Sequence, residues 1–270
     1  MTEKKAHKRM PPFYQEPNPA SQIRRVIAVM SGKGGVGKSL VTGLSALAMQ
    51  RAGWNTAIMD ADITGPSIPR AFGLHGGLEM ENGVAVAART RTGIQVVSTN
   101  LILPNETDPV IWKGPMVGSA VKQFWSDFIW RDVDYLFVDM PPGTGDVPLT
   151  VYQTLPVDGI IIVTSPQELV SMIVEKAINM AKMMGVPVLG VIENLSYFHA
   201  EDTGRDYAIF GESHVDEICA KHHLEVLAKL PIDPRVAQKV DAGAIEEVDT
   251  TVMERVVQKL GEIEEEENVR

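Results

Sequence analysis

The chain has 270 residues, and its hydrophobic content of 44% and charged content of 22% are typical of a globular protein. A net charge of −10 argues against the broad basic surface that general nucleic-acid binding needs, so we expect no nucleic-acid partner. A single cysteine cannot form an intrachain disulfide, and no apolar run approaches the roughly 20 residues that span a bilayer. These features predict a cytoplasmic protein without membrane attachment.

Short apolar runs alternate with helical patterns along most of the chain. The first predicted strand covers residues 25–30, and a predicted helix over residues 39–53 follows it and stops at Gly53. A second long helix is predicted over residues 166–185. Further strands are predicted over residues 55–60, 93–99, 134–139, 159–165, 186–194 and 224–231. Apolar strands between helices predict an α/β fold with a doubly wound, mostly parallel sheet that binds ligands at its carboxyl edge.

The two ends of the chain differ in composition from its middle. Residues 1–22 are basic and then proline-rich, which predicts a flexible tail rather than a signal peptide. We expect one domain over residues 23–262 and an acidic tail over residues 263–270. An apolar stripe near the C-terminus is expected to pack on the domain, because the remaining charge around it is mainly acidic. The stripe consists of Val252, Val256, Val257, Leu260 and Ile263.

The stretch SGKGGVGKS, residues 31–39, contains the frame of a phosphate-binding loop. Gly32, Gly37, Lys38 and Ser39 occupy its four fixed positions. The stretch follows a predicted strand and opens a helix, so backbone N–H groups and the helix N-terminus would face phosphate. Lys38 would contact the β- and γ-phosphates of ATP, and Ser39 would bind Mg²⁺. The alternative is a glycine-rich turn with surface lysines.

Three aspartates stand at or just after the ends of two predicted strands. Asp139 ends the strand over residues 134–139 and precedes the loop MPPGTGD, which indicates a Walker B carboxylate near Mg²⁺ and a loop that senses the γ-phosphate. Asp60 ends another strand, and Asp62 follows two residues later. We assign Asp60 to the Mg²⁺ shell and Asp62 to orienting the attacking water. The alternatives are an ordinary turn residue for Asp139 and a helix cap after Pro66 for the other two.

Together these elements resemble the deviant Walker A ATPases of the MinD/ParA group, which carry Lys-Gly-Gly-x-Gly-Lys-Ser/Thr, here KGGVGKS. In that group the first lysine reaches across a dimer interface to the partner's nucleotide. The resemblance therefore implies that Lys33 is catalytic in trans and that ATP hydrolysis needs a homodimer. Leu40 stands where the group usually has threonine, and its position packs on or contacts the α-phosphate. The implied nucleotide-binding residues of the loop are Gly32, Lys33, Gly34, Gly35, Val36, Gly37, Lys38, Ser39 and Leu40.

Several strings are similar to the Mrp/ApbC branch of this group, whose members carry iron–sulfur clusters. They are SGKGGVGKS, DADITGPSIP, VIWKGPM, DMPPGTGD, SPQELV and ENLSYF. The resemblance covers about residues 22 to 245. It implies that Asn194 hydrogen-bonds adenine and that Pro231, within LPIDP, lines the base pocket.

The chain departs from this branch at the cluster ligands. Members usually place Cys-x-x-Cys just after SYF and hold a cluster between two subunits. Counting without a gap from SYF to IFG puts Ala200 and Thr203 at those positions, and neither binds iron as a thiolate does. No iron–sulfur ligands are identified.

Two other groups of residues could bind a metal. Cys219, His222 and His223 share a face of a predicted helix. A buried free cysteine on an amphipathic helix is the expected interpretation. His199, Glu201 and Asp202 could bind a harder metal, but a solvated polar loop is expected there.

The first functional hypothesis is a Mg²⁺-ATP-dependent iron–sulfur cluster carrier or assembly ATPase that hydrolyses ATP as a homodimer. The alternative is an ATP-switched adaptor of the same fold with no cluster of its own, acting on a metallocluster protein or another partner. A positioning protein of the MinD/ParA kind would need a basic surface or a basic amphipathic helix. A small-molecule kinase is a weaker hypothesis, because hydrolysis with a dimer partner explains Lys33 and the carboxylates of Asp60 and Asp62 better.

Overall fold

The structure is a computed structural model that describes residues 10–103, 114–166 and 170–268. Its strands, in chain order, are β1 Ile23–Ser31, β2 Thr56–Asp60, β3 Glu79–Glu81, β4 Val84–Val86, β5 Ala88–Arg89, β6 Gln95–Val97, β7 Phe128–Ile129, β8 Val133–Asp139, β9 Gly159–Thr164, β10 Val188–Glu193, β11 Phe198–Ala200, β12 Arg205–Tyr207 and β13 Val226–Lys229. Its α-helices are α1 Lys38–Arg51, α2 Ile68–Ala71, α3 Gly114–Ser126, α4 Asp146–Thr154, α5 Val170–Met184, α6 Val215–His222, α7 Pro234–Asp241 and α8 Glu254–Asn268. Short 3-10 helices lie at Thr99–Leu101, Ile245–Glu247 and Thr251–Met253.

An eight-stranded sheet forms the centre of the described domain, in the order β13-β10-β9-β1-β8-β2-β6-β5. All neighbours pair in parallel except β5, which is antiparallel to β6 at one edge. The seven parallel strands are the seven that the sequence predicts, so the doubly wound, mostly parallel α/β fold is confirmed. The remaining strands are two or three residues long, too short to show an alternating pattern.

The parallel strands are apolar throughout because both faces of the sheet are covered. In β1, Val26, Ala28 and Met30 belong to one buried cluster, with residues of α3, α4, α5 and α6. Ile27 and Val29 belong to the other cluster, with residues of α1, α2, α7 and α8. A strand covered on both sides loses the alternation of a half-exposed strand and reads as one continuous apolar run.

The order of the strands places the functional loops together. After β1 the chain crosses to β2 on one side, and after β8 it returns past β1 to β9 on the other side. In parallel sheets, ligands bind outside the carboxyl ends of the strands at such a switch point. The loops after β1, β2, β8, β9 and β10 all start at this edge.

The ends of the domain differ from the predicted boundaries. The backbone N–H of Phe13 donates to the Gln153 carbonyl, and that of Gln15 donates to the Thr154 carbonyl, each at 2.9 Å. The described part of the segment 1–22 is therefore attached to the end of α4. The helix α8 continues to Asn268, so the predicted boundary at residue 262 falls inside a helix. Residues 1–9, 269 and 270 lie outside the described residues.

The C-terminal stripe packs on the domain at four of its five positions. Val256 and Leu260 are buried, and Val257 and Ile263 are partly buried against the same cluster, whereas Val252 is 38% exposed. Across the described ranges, we find no helix with the length and apolar character needed to cross a membrane.

Candidate functional site

The loop after β1 curls round the N-terminus of α1. Gly35 and Gly37 have φ values of 81° and 78°, in the left-handed region that favours glycine. A Cβ on Gly37 would also lie 2.1 Å from Nδ2 of Asn194, so a side chain there is excluded for a second reason. The hydroxyl of Ser31 donates to the carbonyl oxygen of Lys33 at 2.9 Å, which closes the start of the loop. Such a loop at a helix N-terminus has the geometry of an anion-binding site.

The first turn of α1 is joined to the end of β8. Lys38 is 6% exposed, and its Nζ lies 2.8 Å from Oδ1 of the fully buried Asp139. The hydroxyl of Ser39 donates to Oδ2 of the same carboxylate at 2.6 Å. Burial of a carboxylate is costly unless it is paired and hydrogen-bonded, and both conditions are met here. The structure thus places Asp139 beside two residues that lie about 100 positions earlier in the sequence.

Thr42 is a member of this group that the sequence analysis missed. Its hydroxyl lies 2.7 Å from Oδ1 of Asp139 and 3.0 Å from the carbonyl oxygen of Lys38. Thr42 is four residues after Lys38, one helical turn along the same face. The four-residue spacing from Lys38 could have indicated Thr42 as a member of the site. A threonine four residues after another helical residue is common, however, so the spacing alone does not single it out.

Two further carboxylates lie at the end of the neighbouring strand and just after it. Asp60 on β2 is in register with Asp139 on β8. Oδ2 of Asp60 accepts a hydrogen bond from the Ser98 hydroxyl at 3.0 Å, and Oδ1 accepts one from the backbone N–H of Asp62 at 3.2 Å. Complete burial and the adjacent Asp139 carboxylate raise the pKa of Asp60, and Lys38 and Ser98 only partly oppose this rise. Ser98 is a second contact that sequence analysis missed.

Asp62 faces the same lysine from a less buried position. Oδ2 of Asp62 lies 4.0 Å from Nζ of Lys38. Partial burial raises the pKa of Asp62, and the ammonium of Lys38 opposes this rise. The N-cap of α2 is Ser67, without a side-chain cap bond. The helix-capping alternative for Asp60 and Asp62 is therefore wrong.

The loop after Asp139 rests against the phosphate-loop region. The backbone N–H of Gly143 donates to the carbonyl oxygen of Ser31 at 2.8 Å. Pro142 Cγ lies 3.9 Å from where a Cβ on Gly34 would be. The half-buried Lys33 lies on the same loop as Gly34. A change in the conformation of one of these two loops would therefore change the contacts of the other.

The oxygen donors near Lys38 have the chemistry that Mg²⁺ prefers. Ser39, Asp60 and Asp139 supply hydroxyl and carboxylate oxygens, and Mg²⁺ usually takes its other ligands from phosphate and water. Within the described part of the chain, no group of three or more His, Cys, Asp and Glu side chains forms a metal-binding cluster. The hydroxyl and carboxylate oxygens of Ser39, Asp60 and Asp139 fit a magnesium ion that takes its remaining ligands from phosphate and water.

A cavity of about 510 Å³ opens beside the phosphate loop. Leu40, Asn194 and Pro231, which are three of the predicted nucleotide contacts, all line it, together with Tyr197 and Arg235. The Asn194 side chain also donates from Nδ2 to the Val36 carbonyl at 3.0 Å, which ties the cavity wall to the loop. Apolar walls with a few convergent polar groups are typical of small-molecule sites.

The positions expected for cluster-binding cysteines lie on the β11–β12 hairpin. Ala200 ends β11, and the backbone N–H of Thr203 in the turn donates to the Ala200 carbonyl at 3.3 Å. Neighbouring polar side chains pair with each other: Nδ1 of His199 lies 2.6 Å from Oδ1 of Asp206, and Glu201 lies 3.0 Å from Arg235. These contacts agree with a solvated polar loop.

Cys219, His222 and His223 do not form a shared ligand face. Cys219 on α6 is 2% exposed within the core, and burial raises the pKa of its thiol to about 11. Nε2 of His222 lies 3.5 Å from Glu175. His223 follows the helix end with φ of 56°. The three residues are close in sequence, but each has a different environment, so they do not present a common set of metal ligands.

Comparison with known proteins identifies the family. The family model described as "ParA: NUBPL iron-transfer P-loop NTPase" matches residues 22–265. An iron–sulfur cluster carrier protein of Clostridium perfringens is 42% identical over 233 residues, which are 83% of this chain and 82% of the relative.

Two solved structures are similar to the whole domain. A nucleotide-binding protein of Archaeoglobus fulgidus, described as a complex with ADP and with cobalt, is 40% identical, with a TM-score of 0.76 over 84% of this chain and 89% of that chain. The septum site-determining protein MinD of Pyrococcus horikoshii, complexed with Mg-ADP, is 18% identical, with a TM-score of 0.61 over 91% and 99% of the two chains. At that identity the second similarity shows the fold alone.

The resemblance to the MinD/ParA group and its iron–sulfur branch is confirmed, as is the P-loop NTPase fold. The chain belongs to the family of iron-transfer P-loop NTPases. This follows from the match of the family model over most of the chain and from the identity to the Clostridium carrier.

Proposed function

We propose that this chain is a cytoplasmic ATPase that binds Mg²⁺-ATP, hydrolyses it as a homodimer, and uses the cycle in iron–sulfur cluster carriage or assembly. The observation that carries the proposal is the convergence of Lys38, Ser39 and Asp139 at the N-terminus of α1, beside a cavity large enough for a nucleoside. Membership of the family and the ADP complex of the Archaeoglobus relative support it.

The phosphates, the base and the metal ion of Mg²⁺-ATP each have a counterpart in the site. The loop of residues 32–39 and the helix N-terminus would hold the phosphates, with Lys38 between the β- and γ-phosphates. The cavity lined by Leu40, Asn194 and Pro231 would hold the base. Ser39, Asp60 and Asp139 would hold Mg²⁺, which when bound would neutralise charge on the phosphate oxygens.

Hydrolysis needs a positioned water on the far side of the γ-phosphate. Asp62 would orient that water from its place 4.0 Å from Lys38. The water oxygen forms a bond to the γ-phosphorus while the bond to the β–γ bridging oxygen breaks. ADP and inorganic phosphate leave, and both protons of the water remain on the released phosphate.

Lys33 is assigned to the site of the partner subunit. A second cation beside the γ-phosphate would stabilise the charge that develops as ADP leaves, as an arginine finger does. The assignment rests on the resemblance to the deviant Walker A group, and the place of Lys33 on the loop is compatible with it. Hydrolysis should then be slow in dilute protein.

The alternative function, an ATP-switched adaptor without its own cluster, is favoured by one specific observation. Ala200 and Thr203 stand on the hairpin where the carrier branch has thiolates, and the only cysteine of the chain is buried in the core. Iron–sulfur clusters need accessible thiolates or comparable ligands. In the adaptor form, a partner protein would supply the ligands for the cluster.

ATP hydrolysis with and without Mg²⁺ tests the shared part of both forms. Wild-type protein should hydrolyse ATP only with Mg²⁺, Lys38→Ala should bind no nucleotide, and the matched variant Lys182→Ala on the exposed face of α5 should behave as wild type. Absence of Mg²⁺-ATP binding in the wild type, or full binding by Lys38→Ala, would contradict the proposal.

Iron and acid-labile sulfide per dimer after anaerobic reconstitution separate the two forms. A stoichiometric cluster that is lost in Cys219→Ser would establish the carrier form with relocated ligands. No cluster, together with Mg²⁺-dependent hydrolysis, would establish the adaptor form.

A further inference from the structure

Two adjacent buried residues at the end of β10 contact different parts of the site. Glu193 is 1% exposed and is the last residue of the strand, in register with Thr164 of β9 and Lys229 of β13. Asn194 follows it, and its backbone N–H donates to the Thr164 carbonyl at 2.8 Å. The sheet therefore fixes both backbones, while the two side chains contact different loops.

The Glu193 carboxylate binds both ends of the segment of residues 196–213 by hydrogen bonds. Oε2 accepts a hydrogen bond from the Ser196 hydroxyl at 2.6 Å, and Oε1 accepts one from the Ser213 hydroxyl at 2.8 Å. Between these serines the chain leaves the sheet, forms the β11–β12 hairpin and returns, and every residue from 201 to 212 is exposed. One buried carboxylate thus holds together the two ends of the segment that contains the exposed hairpin.

Asn194 makes the corresponding contact to the phosphate loop. Its Nδ2 donates to the Val36 carbonyl at 3.0 Å, and the same nitrogen lies against Gly37 with no room for a Cβ. The amide therefore fixes the last part of the loop before α1 begins.

The connection between the two contacts is a strained turn. Leu195, which lies between Asn194 and Ser196, has φ of 58°. Residues other than glycine rarely adopt this conformation, and they keep it only when surrounding contacts enforce it. The bond from Ser196 to Glu193 spans this turn and is one of those contacts.

We propose that Glu193 is a positioning residue that links the hairpin to the phosphate loop. By binding Ser196 and Ser213 together, it holds the left-handed turn at Leu195 and so keeps the Asn194 amide on Val36. A partner that displaces the hairpin loosens the phosphate loop, and a nucleotide that orders the loop orders the hairpin, because such linkage is reciprocal. The effect on nucleotide affinity rests on the proposed function, whereas the linkage is a property of the protein alone.

Hydrogen exchange of the nucleotide-free protein tests the linkage. Ser213→Ala removes one donor to Glu193 and leaves every residue that lines the nucleotide site in place. We expect amide exchange about tenfold faster both in residues 198–212 and in residues 32–40, with protection of β1 unchanged. Glu193→Gln, which keeps the size of the side chain and one acceptor, should give a smaller increase in the same two segments.

A matched control removes the same kind of bond elsewhere. The Ser126 hydroxyl donates to the Asp127 carboxylate at 2.6 Å on the exposed surface, so Ser126→Ala should change neither segment. Faster exchange in the hairpin alone would overturn the linkage, as would unchanged exchange in both segments. Loss of protection throughout the sheet would also overturn it, because it would show a general effect on stability.

Nucleotide affinity gives an independent readout. Ser213→Ala should weaken binding of Mg²⁺-ATP about tenfold, whereas Ser126→Ala should not; equal affinity of Ser213→Ala and wild type would overturn the linkage. If the wild type binds no Mg²⁺-ATP, the proposed function fails, and hydrogen exchange still decides the linkage.

Discussion

The hydroxyl of Thr42 lies 2.7 Å from Oδ1 of Asp139, which joins α1 to the end of β8. The same oxygen is 2.8 Å from Nζ of Lys38, and the other oxygen accepts the Ser39 hydroxyl at 2.6 Å. Three residues of one helix therefore set the orientation of this carboxylate. Because α1 also begins at the phosphate loop, the helix places the loop and the candidate Mg²⁺ ligand in one rigid unit.

Thr42→Val should lower the rate of ATP hydrolysis about tenfold, because a hydrogen bond to a charged group contributes about 1.5–3 kcal/mol. The substitution keeps the shape of the side chain and removes the hydroxyl that orients Asp139. We expect a higher Mg²⁺ concentration for half-maximal activity, and recovery in Thr42→Ser. Steady-state hydrolysis over a Mg²⁺ titration measures both effects.

The control for this prediction is a buried hydroxyl on the same helix. The Ser45 hydroxyl donates to the Val41 carbonyl at 2.8 Å and makes no contact with Asp139, so Ser45→Ala should keep the wild-type Mg²⁺ dependence. Equal Mg²⁺ dependence of Thr42→Val and wild type would show that Thr42 does not position the carboxylate.

Cys219 should resist alkylation in the folded protein. Burial raises the pKa of its thiol to about 11, from an ordinary value of 9.0, so the reactive thiolate is scarce at neutral pH. Iodoacetamide should label the native protein slowly and the denatured protein completely, as mass spectrometry would show. Fast labelling of the native protein would contradict this prediction and would make Cys219 a candidate ligand for a metal or an iron–sulfur cluster.

Cysteines at the two hairpin positions should create a cluster site. In the double variant Ala200→Cys with Thr203→Cys, one thiolate would stand at the end of β11 and the other in the turn that follows it. After anaerobic reconstitution we expect iron and sulfide at about one cluster per dimer, because both protomers contribute ligands.

The double variant Ala200→Ser with Thr203→Ser is the matched control, since it changes the same positions and adds no thiolate. It should bind no more iron than the wild type. A double-cysteine variant without iron, or a wild type with as much iron, would show that these two positions are not where the family's ligands belong.

The parts of the site that could be predicted from sequence depend on local spacing. Lys38 and Ser39 stand at fixed positions after the glycines, and Asp60 and Asp139 each end an apolar run. Parallel strands bring their carboxyl ends to one edge, so local patterns sufficed to place these residues together. The fold class followed from the same alternation of strands and helices.

The parts that could not be predicted depend on contacts between distant segments. Ser98 binds Asp60 across 38 positions, and Ser213 binds Glu193 across 20. Neither serine has a distinctive spacing, because its partner is decided by where β6 lies in the sheet and by how α6 packs on it. The β11–β12 hairpin was missed because its strands have three residues each.

Activity in a mixture of two inactive variants is the most direct test of hydrolysis across a homodimer. Lys33→Ala lacks the lysine offered to the partner, and Asp62→Asn lacks the water-orienting carboxylate of its own site. Each variant alone should be nearly inactive, and an equal mixture should recover about a quarter of the wild-type rate, because half of the random dimers contain one complete site. A mixture no more active than the separate variants would contradict the assignment of Lys33 to the partner's site.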